Sequence, residues 1–208
     1  MIDSVIDISH FNGSPDWAKV RAAGILGVIH KATQGSAWID PTFAAARTAV
    51  PAAGLLWGAY HFGTGDEEGS AQAQFFLDTV KPDAHTLCVI DFESNPSGTQ
   101  MPLDHLFGWI QTVQAATGRP PVVYGGKSLL FPAIGESTHP TLAACPLWIA
   151  EYNTLAEPVG IPAQVWKAWS LWQYSESGTV EGVTGNVDRS RFNGTADALT
   201  AWWTGKPQ

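Results

Sequence analysis

Eight short apolar runs divide this chain, and what lies between them changes character towards its end. The runs fall at residues 5–8, 27–31, 55–62, 88–92, 122–124, 147–150, 171–174 and 186–188. Most are rich in β-branched or aromatic residues and bounded by glycine, proline or polar turns, the pattern of buried strands. Helical stretches at residues 15–23, 41–49, 66–80 and 102–117 separate the early runs. In the last of these, Leu103, Leu106, Phe107, Ile110 and Val113 recur at helical spacing, with Pro102 at the start and Gly118 just past the end. The helix at 66–80 is expected to begin on a capping box at Thr64-Gly65-Asp66-Glu67. After residue 145 strands follow one another with little helix between them. Strand–helix alternation giving way to consecutive strands predicts an α/β, TIM-like barrel whose last third is helix-poor.

Residues 1–208 read as one domain, with no linker, repeat or low-complexity tract. A chain of this length buries a sufficient core without disulfides or metals. Cys88 and Cys145, the only cysteines, lie near strand starts and are expected as buried free thiols. A formal net charge of −8 disfavours nucleic acid as a partner, because phosphate binding needs a basic face. No membrane span is expected, since no apolar run approaches the roughly 18 residues a crossing needs. The opening residues carry neither a basic segment nor a long apolar stretch, so no signal peptide is expected and synthesis is placed in the cytoplasm.

The run at residues 88–92 leads into Glu93, giving Asp91-Phe92-Glu93 at its end. Strand side chains alternate between faces, so Asp91 and Glu93 point the same way, their Cα atoms roughly 6.5 Å apart. Two carboxyls on one face repel, and one holds its proton to higher pH. Acid-catalysed cleavage of a glycosidic bond uses such a pair. A lone Asp-x-Glu is more often a solvated strand end, so the case rests on company. Barrel chemistry gathers at strand C-terminal ends. There the sequence places Asp7 and Ser9, Lys31, His61, Asp91 and Glu93, Tyr124, Glu151 and Tyr152, Gln173, and Asp188. Ten tryptophans in 208 residues suit sugar-stacking surfaces as well as a core. Tyr60, Tyr124, Trp148, Tyr152 and Trp172 are candidates to stack on pyranose rings. By strand parity, Gln173 in the cleft sends Trp172 outward.

Taken in order, the motifs resemble those of the glycoside hydrolase family 25 lysozymes, which are N-acetylmuramidases. The resemblance begins at Asp7-Ile8-Ser9-His10-Phe11-Asn12-Gly13 with Asp16-Trp17, and continues through Lys31-Ala32-Thr33-Gln34-Gly35, Asp40-Pro41-Thr42-Phe43 and Gly58-Ala59-Tyr60-His61-Phe62. Gln72-Ala73-Gln74-Phe75-Phe76, Asp91-Phe92-Glu93, Pro121-Val122-Val123-Tyr124, Leu147-Trp148-Ile149-Ala150-Glu151-Tyr152, Trp172-Gln173-Tyr174 and Val187-Asp188-Arg189-Ser190-Arg191-Phe192 complete it. It implies a flattened barrel of eight strands and about five helices, acting on bacterial peptidoglycan between N-acetylmuramic acid and N-acetylglucosamine. Position by position, Glu93 matches the proton donor, Asp91 its partner acid, and Asp7 and Asp188 two further acids of the cleft. Substrate contacts are expected from Tyr60, His61, Tyr124, Trp148, Tyr152 and Gln173, with no cofactor and no metal. The expected state is a monomer that reaches the wall by holin-type release or secretion-system delivery. Gln34 departs from the pattern, which usually has Glu there.

For the second half of the reaction the sequence leaves routes open. A carboxylate attacks the anomeric carbon, which needs about 5–5.5 Å between carboxyls, or the substrate's own 2-acetamido oxygen attacks, or a water inverts the centre. The substrate-assisted route is favoured, with Asp91 orienting the acetamido group. Two rivals stand beside the hydrolase. His10, His30 and His61 near strand ends suit a metal-dependent barrel hydrolase, although no His-x-His or His-Glu-x-x-His spacing occurs. A glycan-binding module that keeps the cleft without turnover is the other. Arg189 and Arg191 are expected on the surface or paired with local acids.

Overall fold

In the computed structural model, which describes residues 1–205, strands β1 (Ile2–Ile8), β2 (Gly27–Gln34), β4 (Leu56–Phe62), β5 (Leu87–Asp91), β6 (Val122–Gly126), β7 (Leu147–Ala150), β8 (Leu171–Gly178) and β9 (Val187–Phe192) close into a barrel. Closure runs through the parallel pairing of β1 with β2, Val5 opposite Gly27. The strands from β1 through β8 pair in parallel around the wall, while β9 lies antiparallel to both β8 and β1. A short strand β3 (Trp38–Ile39) folds back on the end of β2, outside the wall.

Among the described residues, seven α-helices pack around it, against the about five that the family resemblance implies: α1 (Trp17–Ala22), α2 (Phe43–Ala52), α3 (Gly69–Val80), α4 (Leu103–Thr117), α5 (Leu130–Ile134), α6 (Pro140–Ala143) and α7 (Ala196–Trp203). α4 starts from Pro102 and ends on Gly118 at φ +70°, as its sequence predicts. The expected capping box at Thr64 does not form. α3 begins later, from Glu68, with no side-chain cap. The Gly65 amide donates instead to the Thr99 carbonyl, and Gln72 bonds both the amide and the carbonyl of Thr64, so this segment is tied into loops rather than a helix end. No helix among the described residues is long and apolar enough to cross a membrane. Cys88 and Cys145 are buried free thiols.

The pleat sorts each strand's side chains between two cores. Cys88 and Ile90 of β5 face the helices, whereas Leu87 and Val89 face the barrel interior. Alternation therefore turns Asp91 inward, one level above Val89. The same rule puts Asp7 above Val5 and Gln173 above Leu171, while Ile6, Ile8 and Trp172 pack outward. β1, β5 and β8 thus each supply an apolar side chain to the lower barrel and a polar one to the mouth at their C-terminal ends.

Candidate active site

At that mouth lies a cavity of about 430 Å³ lined by Asp7, Tyr60, Asp91, Glu93, Tyr124, Trp148, Tyr152, Gln173, Glu176, Ser177, Asn186 and Asp188. All four acids named from the sequence line it, as do five of the six expected substrate contacts.

Gln173 organises one wall. Its Oε1 accepts from the Tyr124 hydroxyl at 2.8 Å and the Tyr152 hydroxyl at 2.6 Å, and its Nε2 donates to both Asp7 oxygens at 3.0 and 3.1 Å. Trp148 donates through Nε1 to the Ser190 hydroxyl at 3.0 Å and meets the Tyr124 ring edge-on at 4.7 Å between centroids. Trp148 is almost wholly buried, whereas Tyr152 is 50% exposed and offers its ring to a ligand. Trp172 faces outward, as parity requires, and donates to the Glu151 carbonyl.

Glu93 lies just beyond the end of β5. The Phe92 amide still bonds the Tyr124 carbonyl at 3.0 Å, and the Phe92 ring is sunk in the outer core. Gln100 then straps the following loop, donating to the Glu93 carbonyl at 2.9 Å and accepting from the Asn95 amide. The general-acid candidate is thereby held by backbone contacts on both sides.

All four acids hold their protons above the ordinary carboxyl range, and burial is the first cause for each. For Asp7 and Asp91 the rise is large. Asp188 adds to it at Asp7, and Glu93 adds to it at Asp91. Lys31 opposes the rise at both Asp91 and Glu93, while Asp188 and Glu176 add to it at Glu93. Asp7 and Asp188 sit opposite each other across β1 and β9, and each carboxyl is close enough to bear on the other's charge.

This burial has a stability consequence. A carboxyl whose pKa is raised in the folded state favours folding fully below its unfolded pKa and loses that contribution as pH rises through the folded value. Asp91 is the clearest case, because its Oδ1 is buried without a hydrogen-bond partner among the described residues. Asp91→Asn, which cannot ionise, should therefore be more stable than the native protein at pH 7, by about 0.5–2 kcal/mol. The gain should vanish near pH 4. Thermal melts at the two pH values check this, and equal melting temperatures at pH 7 would refute it.

His61 is not in the cleft. It is fully buried in the outer layer, bonded to Thr33 and Gln72 and stacked on Trp109, and burial drives its pKa down to about 4. Tyr60 and His61 are neighbours on β4, so the pleat admits only one of them to the interior, and Tyr60 takes that place. His30 bonds Thr42 and the Lys31 carbonyl, and His10 bonds Asp40, so none of the three histidines lines the cavity. No group of three or more His, Cys, Asp and Glu side chains among the described residues is arranged to hold a metal ion. Ser9 caps a short 3-10 turn and Glu151 pairs with Lys127 at 2.6 Å, both off the cavity wall. Arg189 pairs with Asp3 at 3.0 Å and Arg191 stacks on Tyr174. Glu176, Ser177 and Asn186 were not read from the sequence. Glu176 and Ser177 sit on β8 where it runs on to Gly178, past two register shifts that break its alternation, and Asn186 lies just before β9.

A closed barrel whose mouth carries clustered, proton-holding carboxyls beside aromatic rings is the layout of a glycoside hydrolase. Comparison with known proteins narrows the class. Residues 6–183 match the family described as glycosyl hydrolases family 25, and the chain belongs to that family. It is 37% identical to Lysozyme M1 of Streptomyces globisporus over 94% of this chain and 69% of that protein. It is 30% identical to the N,O-diacetylmuramidase of Chalaropsis sp, over 88% and 94% of the two chains. Among solved structures, the bacterial lysozyme from Streptomyces coelicolor superposes with a TM-score of 0.89 at 33% identity, covering both chains fully.

Proposed function

We propose that this protein is a muramidase, cleaving the β-1,4 bond from N-acetylmuramic acid to N-acetylglucosamine in bacterial peptidoglycan. The observation that carries this is the inward-facing quartet Asp7, Asp91, Glu93 and Asp188 in one aromatic-walled cavity, in a chain whose relatives are named lysozymes and muramidases. Glu93, the less buried member of its pair, delivers the proton to the leaving oxygen. Asp91, deeper on the same face, orients the 2-acetamido group, whose oxygen attacks the anomeric carbon. The Asp7–Asp188 pair, fixed by Gln173, stabilises the positive charge that grows on the sugar. Tyr152 and Tyr60 supply ring faces for the pyranoses. The protein is proposed to work at the wall as a monomer.

The test is digestion of purified peptidoglycan followed by borohydride reduction and mass spectrometry. Fragments ending in reduced muramic acid are expected. Reduced glucosamine ends would move the cut to the other glycosidic bond. Binding to the wall without any release, across walls of several chemotypes, would replace the hydrolase with a glycan-binding module.

A further inference from the structure

The proposed reaction leaves Lys31, beside the mouth, without a task. It extends inward from β2, where its register partner is Tyr60 of the cavity wall. Its Nζ donates to Gln34 Oε1 at 2.8 Å and lies over two rings, 4.8 Å from the centroid of Phe62 and 5.1 Å from that of Trp38. Phe62 in turn pairs with Gln34 on one side and with Asp91 on the other. The ammonium is therefore held over the ring that flanks Asp91.

Lys31 belongs to none of the ion pairs among the described residues. Its side-chain acceptor is a neutral amide, and π faces attract a cation without cancelling its charge. Asp40, another acid near it, is already committed to His10 at 2.9 Å and to Thr42. What remains within its field is Asp91 and Glu93. Asp91 otherwise faces Glu93 and Asp7, and Glu93 faces Asp188 and Glu176, so every other charged group around the pair is acidic. The buried Asp91 Oδ1 finds no hydrogen-bond donor among the described residues that could stabilise an anion. A nearby uncancelled cation is the remaining means.

We propose that Lys31 is a positioning residue that sets the charge of the Asp91–Glu93 pair, and that Gln34, being an amide rather than a carboxylate, leaves the Lys31 charge free to act on them. A Glu at position 34 would pair with Lys31 and draw off part of its field. This inference rests on the proposed roles of Glu93 and Asp91, so one of its tests is independent of turnover.

The experiment compares Lys31→Met, Lys31→Arg and Gln34→Glu with the native protein. Two readouts are taken: the pH profile of kcat/KM on peptidoglycan, and carboxyl ¹³C NMR titrations of Asp91 and Glu93. Losing the positive charge raises the pKa of both acids, so the whole profile of Lys31→Met should move to higher pH. Activity on its acidic shoulder should fall roughly threefold to tenfold. Gln34→Glu should move it the same way by less, and Lys31→Arg should leave it in place. Gln34→Glu keeps the test open if Lys31→Met folds poorly. A uniform loss of activity with unmoved profile and titrations would reduce Lys31 to a packing role and overturn the proposal. If the native protein releases nothing from any wall, the muramidase reading fails, and the NMR titrations still decide this one.

Discussion

Glu93→Gln should lower kcat on peptidoglycan by roughly a hundredfold to ten-thousandfold, the range that a positioned general acid supplies. Gln matches Glu in size but has no proton to deliver to the leaving oxygen. The loss should fall on kcat rather than KM, because the proton moves in the transition state and not on binding. Folding should survive, since the hydrogen bond from Gln100 holds the Glu93 backbone carbonyl and not the side chain. The Phe92 anchor in the outer core is likewise untouched. Rates of muropeptide release, with a thermal melt of each protein, check the expectation. More than a tenth of native kcat in a well-folded variant would assign the proton to another group, with Asp91 the first candidate.

The site was legible in sequence wherever one physical rule acted alone. Period-two alternation on β5 places Asp91 with Leu87 and Val89, and the same count brings Asp7 and Gln173 inward. Where the rule was not carried through, the reading failed. Tyr60 and His61 were both assigned to substrate although adjacent strand residues face apart, and the structure buries His61 against Trp109. Where the rule itself breaks, no count would have served. The register shifts between Gln173, Ser175 and Gly178 bring Glu176, out of step with Gln173, to the cavity, and a bulge leaves no trace in an alternation pattern. The electrostatics were hidden for a different reason. Desolvation leads the shift at every cleft acid, and burial depends on how the whole wall closes, not on the spacing of charges along the chain.

The fold shows the same division. α4 announced itself through a proline, a glycine and five apolar positions at helical spacing. α5 and α6 are too short for periodicity to register, and α5 has Pro132 within it. α7 carried a usable sign that went unread. Thr195 caps it by accepting from the Ala198 amide, and Leu199 and Trp203, four apart, form its buried stripe. A helix-poor last third describes the residues between β7 and β9, but not the chain's end.

Trp203, the last residue of α7, is where the second large effect is expected. It is fully buried in the inner core, beneath the apolar layer that supports the cleft. Two glycines make room for its ring: a Cβ on Gly27 would lie 2.6 Å from it, and one on Gly58 would lie 3.2 Å from it. Its Nε1 donates to the Trp57 carbonyl at 2.8 Å, and Arg119 clamps the carbonyls of Trp202 and Trp203. The barrel is thus closed at the end opposite the cleft by one indole. Trp203→Ala should cost about 3–5 kcal/mol, through lost burial, an empty cavity and an unpaired carbonyl. For a chain of this length that lowers the melting temperature by roughly 6–20 °C. Gly27→Ala should destabilise in the same sense, because the ring, fixed by its hydrogen bond, cannot retreat from the added methyl. Neither change touches a cavity-lining residue, so kcat measured well below the melting point should stay within about twofold of native. A drop of under 3 °C for Trp203→Ala would mean that the lower barrel repacks without its plug. A collapse in kcat at full stability would mean that the plug and the carboxyls at the far mouth are coupled through the inner layer of Val5, Ile29 and Val89.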